Sequence, residues 1–390
     1  MWIGSVVCTI ATTVCFWIAS AAGDEISLSV KVLQSVAPGG KGTASARNAV
    51  QSLAGSGEKS LVPVLQGFQG ASPLAVNWLR NAFEEIVESE RAAGRQLPAA
   101  VLEEFILDRD QSPVARRLAY ETLKGQQPEI EDRLIPDMLL DPSPEFRRDA
   151  VARLIKEAGL ATDAKAATPI FQKALSGAVH EDQVKQISEA LRKSGENVNI
   201  QQHFGFLSSW NVAGPFDNKE EKGFAVAYQP ETIVTEGKPL DLSGEYDGQL
   251  GKVQWKPLMT EDDFGVVDIA KQMENFKGSL MYATTSWNSD KEQLVEIRLG
   301  TPNAWKLWVN GILVFEREEY HRSSAMDQYK VPVTLTAGEN VFLFKICQNE
   351  QTQDWAQRYQ FQLRICDATG SAVRSATRVA LDAAYQGASR

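Results

Sequence analysis

The chain has 390 residues, with 50 acidic side chains against 40 basic ones and a formal net charge of −10. That balance excludes nucleic acid and anionic membrane surfaces as partners, because both attract a basic face. The length suits two domains, and the composition is that of ordinary globular proteins.

From Trp2 to Ala22 the chain is apolar and uncharged, ending Ala19-Ser20-Ala21-Ala22-Gly23 before Asp24-Glu25. Small residues at that point predict a secretory signal peptide over 1–22, although no Lys or Arg precedes the apolar run. The alternative is an uncleaved anchor, since the run is just long enough to span a bilayer. The protein is expected to be exported, periplasmic or extracellular, with no membrane contact after cleavage. Only Cys347 and Cys366 then remain. The short segment Pro38-Gly-Gly-Lys41-Gly42-Thr43 is not a phosphate loop, because Gly42 separates the lysine from the threonine.

Residues 24–200 follow a helical period. Ala115, Leu118, Ala119, Thr122 and Leu123 recur at three and four, which gives one buried stripe. Ser72-Pro73, Ser112-Pro113 and Ser143-Pro144 each separate two such runs. Serine caps free backbone N–H groups, and proline at the first helical position forfeits no hydrogen bond. Helices are expected at Ala44–Leu53, Ser60–Phe68, Ala99–Leu107, Ile130–Leu140, Thr168–Leu175 and Glu181–Leu191. Self-similarity at this spacing predicts a helical solenoid. The string from Asp110 to Arg117, and that from Asp141 to Arg148, resemble the HEAT-repeat family. In that family a turn aspartate and a second-helix arginine form a ladder between successive units. The resemblance implies such roles for Asp110 with Arg116 or Arg117, and for Asp141 with Arg147 or Arg148. The first Ser-Pro unit lacks the acid and both arginines.

The period changes from 3.6 to 2 near Asn199, predicting a boundary at 199–205. Strands are expected at Phe206–Val212, Ser279–Trp287, Gln293–Leu299, Trp305–Val309, Ile312–Arg317, Tyr329–Leu335, Asn340–Cys347 and Tyr359–Cys366. Asn310-Gly311 supplies the two positive-φ residues of a type I′ hairpin, and Trp305–Phe315 is expected at the centre of the core. The fold class is a HEAT-like α-solenoid over 24–200, then an antiparallel β-sandwich or jelly roll over 204–370 and a tail over 371–390. Reading 340–347 and 359–366 as one hairpin places Cys347 and Cys366 too far apart for a disulfide.

Trp305-Lys-Leu-Trp-Val-Asn-Gly311, then Leu335-Thr-Ala-Gly-Glu-Asn340, resembles the galactose-binding-like jelly rolls attached to many secreted glycosidases. With Trp210-Asn-Val-Ala-Gly-Pro-Phe216 and the helical repeats, the whole chain resembles bacterial exported proteins that join the two parts. The resemblance implies a jelly roll and carbohydrate binding, and no catalytic residues.

No histidine or cysteine spacing matches a metal site, no nucleophile motif occurs, and no cofactor is expected. Glu261-Asp262-Asp263 with Asp268 offers oxygen ligands of the kind calcium takes, but without EF-hand spacing it is read as a solvated loop. The densest chemistry is the loop carrying Tyr320, His321, Arg322 and Asp327. Aromatic faces stack on sugar rings, and Trp308, Trp355 and Trp287 are candidates to supply one; the alternative is that these tryptophans fill a core. Candidate ligand-binding residues are therefore Trp308, Tyr320, His321, Arg322, Asp327 and Trp355. The leading reading is a non-catalytic exported adaptor. Its sandwich binds a glycan, and its helices contact another envelope or secreted protein. The alternatives are a glycan hydrolase or lyase using loop carboxylates, and a structural envelope protein with no small ligand.

Overall fold

The computed structural model describes residues 23–375, so the predicted signal segment 1–22 and residues 376–390 of the tail lie outside the described residues. It is a mixed α and β protein, helical in its N-terminal part and built of antiparallel sheets in its C-terminal part.

The helices are α1 (residues 23–34), α2 (Thr43–Ser56), α3 (Leu61–Gln66), α4 (Pro73–Ala92), α5 (Ala99–Leu107), α6 (Pro113–Gln126), α7 (Ile130–Leu134), α8 (Pro144–Gly159), α9 (Ala164–Gly177), α10 (Glu181–Lys193) and α11 (Ile200–Phe204). Proline opens α4, α6 and α8 as expected. The Ser72 hydroxyl accepts a hydrogen bond from the Ala75 N–H at 3.2 Å, while Ser112 makes no side-chain capping bond. Gly42, at φ 84°, leads directly into α2, so the glycine-rich segment is a turn.

Contacts divide the chain between Arg153 and Leu154, inside α8. The first unit encloses a core running from Ile26 to Ala150. Within it the Arg116 guanidinium donates to both Asp141 oxygens at 2.8 Å, with both side chains fully buried. This ion pair therefore runs from an arginine on α6 forward to the turn before α8. Asp110 is exposed, and the neighbouring turn is held by Asp108, which accepts from the Asp110 N–H and from Gln111.

This division lies earlier than the change of period, because α9, α10 and α11 group with the sheets. His203 Nε2 donates to the Ala178 carbonyl at 2.8 Å. Lys185 sits over the Phe264 ring at 5.0 Å, and Gln201 donates to the Thr260 and Asp262 carbonyls. Asp262 also accepts from the Phe264 and Val266 N–H groups, so that acidic segment ties a loop together.

The strands are β1 (Ser209–Asp217), β2 (Glu245–Gly248), β3 (Gly251–Gln254), β4 (Lys256–Met259), β5 (Val267–Asp268), β6 (Ser279–Ser289), β7 (Gln293–Gly300), β8 (Ala304–Val309), β9 (Ile312–Arg317), β10 (Tyr329–Leu335), β11 (Gly338–Gln348) and β12 (Gln360–Cys366). Two short helices are interspersed, α12 (Gln229–Thr235) and α13 (Ile269–Gln272). A six-stranded sheet has the order β4-β1-β6-β11-β8-β9, and a four-stranded sheet the order β10-β7-β12-β5. Their inner faces share one core, in which Phe344 of β11 meets Phe361 of β12 at 4.9 Å.

That contact corrects the expected hairpin. Strands β11 and β12 lie in different sheets and pack face to face, because each carries an apolar inner face at every second residue. Cys347 and Cys366 are both free and buried. Cys347 belongs to a separate outer cluster, and burial pushes its thiol up to about 12.

The Trp305–Phe315 hairpin is central in only one of its strands. β8 is buried, but β9 is the sheet edge and Ile312 is 69% exposed. A bulge between Leu307 and Trp308 shifts the register, placing Phe315 opposite Leu307 and stacking its ring on Trp305 at 5.3 Å.

Sequence reasoning missed a cover over half of the outer face of the six-stranded sheet. The 3₁₀ segment Lys219–Phe224, α12 and the β2–β3 hairpin bury Phe224, Val234, Tyr246 and Trp255 against Tyr282, Trp308 and Leu343.

Candidate functional site

The structure brings together four of the six predicted site residues. Tyr320, His321, Arg322 and Trp355 meet at one end of the sandwich, beside residues 218–221 and 348–350. The buried Asn218 amide donates to the Tyr320 hydroxyl at 3.1 Å and to the Gln348 carbonyl. His321, at φ 55°, donates from Nε2 to Asn349 Oδ1 at 2.5 Å, and Asn349 Nδ2 donates to Glu221 at 3.0 Å. Trp355 stands edge-on to His321 at 5.2 Å and is the one exposed tryptophan among the described residues. Arg322 is exposed and pairs with Glu319.

Trp308 and Trp287 are corrections. Both are buried, Trp308 under the cover and Trp287 in the core between the sheets, so neither presents a face to a ligand. Their strands are central, and a large aromatic on a central strand packs against the neighbouring layer.

Asp327 is also corrected. Its carboxylate accepts from Arg364 at 2.6 and 2.7 Å and from Arg298 at 2.8 Å. Arg298 and Arg364 face each other directly across β7 and β12, a like-charge pair that Asp327 bridges, while Glu296 also accepts from Arg298. Burial pushes the Asp327 carboxyl up, but its bonds to Arg364 and Arg298 outweigh that and hold it below the usual range. With the folded pKa lowered, the stability this group contributes is present above about pH 4 and is lost as pH falls through the folded value. Asp327→Asn is expected to lower the melting temperature at neutral pH and to flatten its decline below about pH 4. Calorimetry showing an unchanged acid limb would assign that limb to other carboxylates.

A groove on the sheet face was not foreseen. It has a volume of about 680 Å³ and lies on the half of the outer face that the cover leaves open. Its floor carries Ser209 and Asn211 from β1 and Thr284 and Ser286 from β6, with Asn211 directly opposite Thr284. Side chains on such a floor are spaced about 4.8 Å across the strands and about 6.7 Å along them. The Thr284 hydroxyl donates to the Phe342 carbonyl at 2.9 Å. One wall is apolar, formed by Val234, Pro239, Leu240 and Leu242.

The Asn310-Gly311 turn closes one side of the groove. Both residues have positive φ, 52° and 80°, as a type I′ turn requires. Asn310 Nδ2 donates to Asn340 Oδ1, and Asn310 Oδ1 accepts from the Val341 N–H, both at 2.9 Å. A Cβ on Gly311 would lie 2.5 Å from the Val234 carbonyl oxygen, so only glycine permits this approach of turn to wall. Among the described residues, Lys238 and Glu339 are the only ionisable side chains lining the groove.

A signal for the groove exists in β6. Alternate positions Leu280 and Tyr282 are apolar and lie beneath the cover, whereas the next two on that face, Thr284 and Ser286, are polar and line the groove. Among the described residues no group of three or more His, Cys, Asp or Glu side chains is arranged to hold a metal ion, and no helix is long and apolar enough to cross a membrane.

No family model and no curated protein matches the chain. Among solved structures it is similar over 30% of its length to a GH31 alpha-xylosidase from Xanthomonas citri, at 12% identity and a TM-score of 0.18. Over 68% of its length it is similar to a beta-glucosidase from Kluyveromyces marxianus, at 7% identity and a TM-score of 0.26. The chain spans 15% and 34% of the lengths of those two structures, and likeness at these scores carries no functional argument.

Proposed function

We propose that this is an exported, non-catalytic binding protein whose galactose-binding-like sandwich takes a neutral or weakly charged glycan in the sheet-face groove. Its helical unit reads as a HEAT-like solenoid that contacts another envelope or secreted protein, a reading supported by the Arg116–Asp141 rung. The observation that carries the glycan reading is the groove floor. Short hydroxyl and amide groups at sheet spacing, facing an apolar wall, suit a ligand whose sugar rings present hydroxyls on their edges and C–H groups on their faces. A binding role without turnover is supported by the lining, in which Glu339 is the single carboxylate among the described residues, since glycoside hydrolysis ordinarily employs two.

A second reading places the ligand at the loop end, and the exposed indole of Trp355 favours it. Native affinity gels containing a soluble galactomannan, a glucan or a xylan separate these readings. Retardation of the full chain by at least one of these polysaccharides is expected. Asn211→Ala should weaken it about 3- to 10-fold, the value of one hydrogen bond, and Trp355→Ala should leave it unchanged. The reverse result assigns the site to the Trp355 loop. Absence of retardation by all three favours a structural envelope protein, and release of shortened sugars favours a hydrolase or lyase.

A further inference from the structure

Lys345 sits on β11, in the middle of the six-stranded sheet, and its side chain is fully buried. All three ammonium protons have acceptors: the Phe224 carbonyl at 3.0 Å, the Val226 carbonyl at 2.7 Å and Glu231 Oε2 at 3.0 Å. The same carboxylate oxygen accepts from the Tyr282 hydroxyl at 2.7 Å. Lys345 and Tyr282 are register partners on β11 and β6, so the sheet grips one carboxylate with two adjacent side chains. Burial lowers the Lys345 pKa, against the pull of Glu231.

Packing alone does not account for a charge here. A buried ion pair is commonly no more stable than apolar residues of the same volume, and its best-attested use is to specify one arrangement. What these bonds specify is the position of the segment that carries Phe224, Val226 and Glu231. Val234 follows Glu231 on α12 and lines the groove, and residues 237–242 continue from that helix as the rest of the wall. The wall is therefore fixed twice, by Glu231 on the Lys345–Tyr282 pair and by Val234 against Gly311.

We infer that Lys345, Glu231 and Tyr282 form a latch that positions the apolar wall of the groove and so sets the width of the ligand it accepts. These are positioning residues, buried away from the ligand. The width claim rests on the glycan reading, whereas the latch itself does not.

Hydrogen exchange of the full chain tests the latch without any ligand. In the double variant Glu231→Gln, Lys345→Met, which leaves no orphaned charge, amides of residues 232–242 are expected to exchange at least about tenfold faster. Amides of β6 and β11 should stay within about twofold of the parent. Equal protection of residues 232–242 in the variant and the parent overturns the latch, as does uniform loss of protection across both sheets.

If the double variant does not fold, Tyr282→Phe removes a single hydroxyl, and faster exchange confined to residues 232–242 is still required. The ligand arm uses the galactomannan, glucan and xylan gels. A polysaccharide that retards the parent should bind the double variant about tenfold more weakly, while unchanged retardation overturns the width claim. If none retards the parent, the glycan reading fails and exchange alone decides the latch.

Discussion

Replacing Asp141 with alanine is expected to destabilise the helical unit by about 3–5 kcal/mol, because it strands a buried charge. Arg116 is completely enclosed, with Nε donating to the Ile106 carbonyl at 2.7 Å and both terminal nitrogens donating to Asp141. Its guanidinium lies 5.2 Å from the Phe146 ring centre and is wholly enclosed by protein. Asp141 also accepts from the Ser143 N–H at 2.8 Å, at the start of α8, and that donor would be orphaned as well. An exposed pair gives the contrast. Arg133 and Glu103 also link neighbouring helices, but Arg133 is half exposed, so Arg133→Ala should cost no more than about 1 kcal/mol. Urea unfolding of the full chain, followed by the circular dichroism of the helices, measures both. A loss below about 1 kcal/mol for Asp141→Ala would mean that Arg116 reaches solvent once its partner is gone. The paired change Arg116→Met, Asp141→Leu should recover most of the stability, since it removes the charge together with its partner.

Leu307→Ala is expected to cost about 2–5 kcal/mol, and Ile312→Ala less than about 0.5 kcal/mol, although both belong to the same hairpin. Leu307 is fully buried between the two sheets, facing the same core as Trp305, Phe344 and Ile297. Close-packed surroundings relax only partly around a deleted side chain, so a cavity penalty adds to the lost transfer energy. Ile312 is on the edge strand and mostly in water already. Thermal unfolding monitored in the near ultraviolet reports on the packed tryptophans and distinguishes the two. Equal losses at both positions would mean that the β9 edge is covered in solution.

Local chemistry determined much of this protein from sequence alone. The period of the apolar residues gave helix Ala99–Leu107 and strands Ile312–Arg317 and Tyr329–Leu335 with the bounds observed. Asn310-Gly311 marked its turn because few residues tolerate two successive positive φ angles. Each of those signals lies within about ten consecutive residues, where the backbone and its nearest side chains decide the outcome.

What the tertiary structure decided were matters of partnership. Alternation showed that β12 has an apolar face but not which strand borders it, so a hairpin was expected where two sheets face each other. Tyr320, His321 and Trp355 were legible as a group because the β9–β10 loop carries two of them and the β11–β12 connection the third. Asp327 looked like a binding residue because its arginines lie 29 and 37 residues away. Trp308 looked like a stacking face because the cover comes from residues 219–255, a segment of short helices and strands with little periodicity. The groove is the part of one sheet face that this cover leaves open. No local pattern encodes where a cover stops, since that depends on contacts such as Lys345 with Glu231, which are 114 residues apart and form only once the sheet exists.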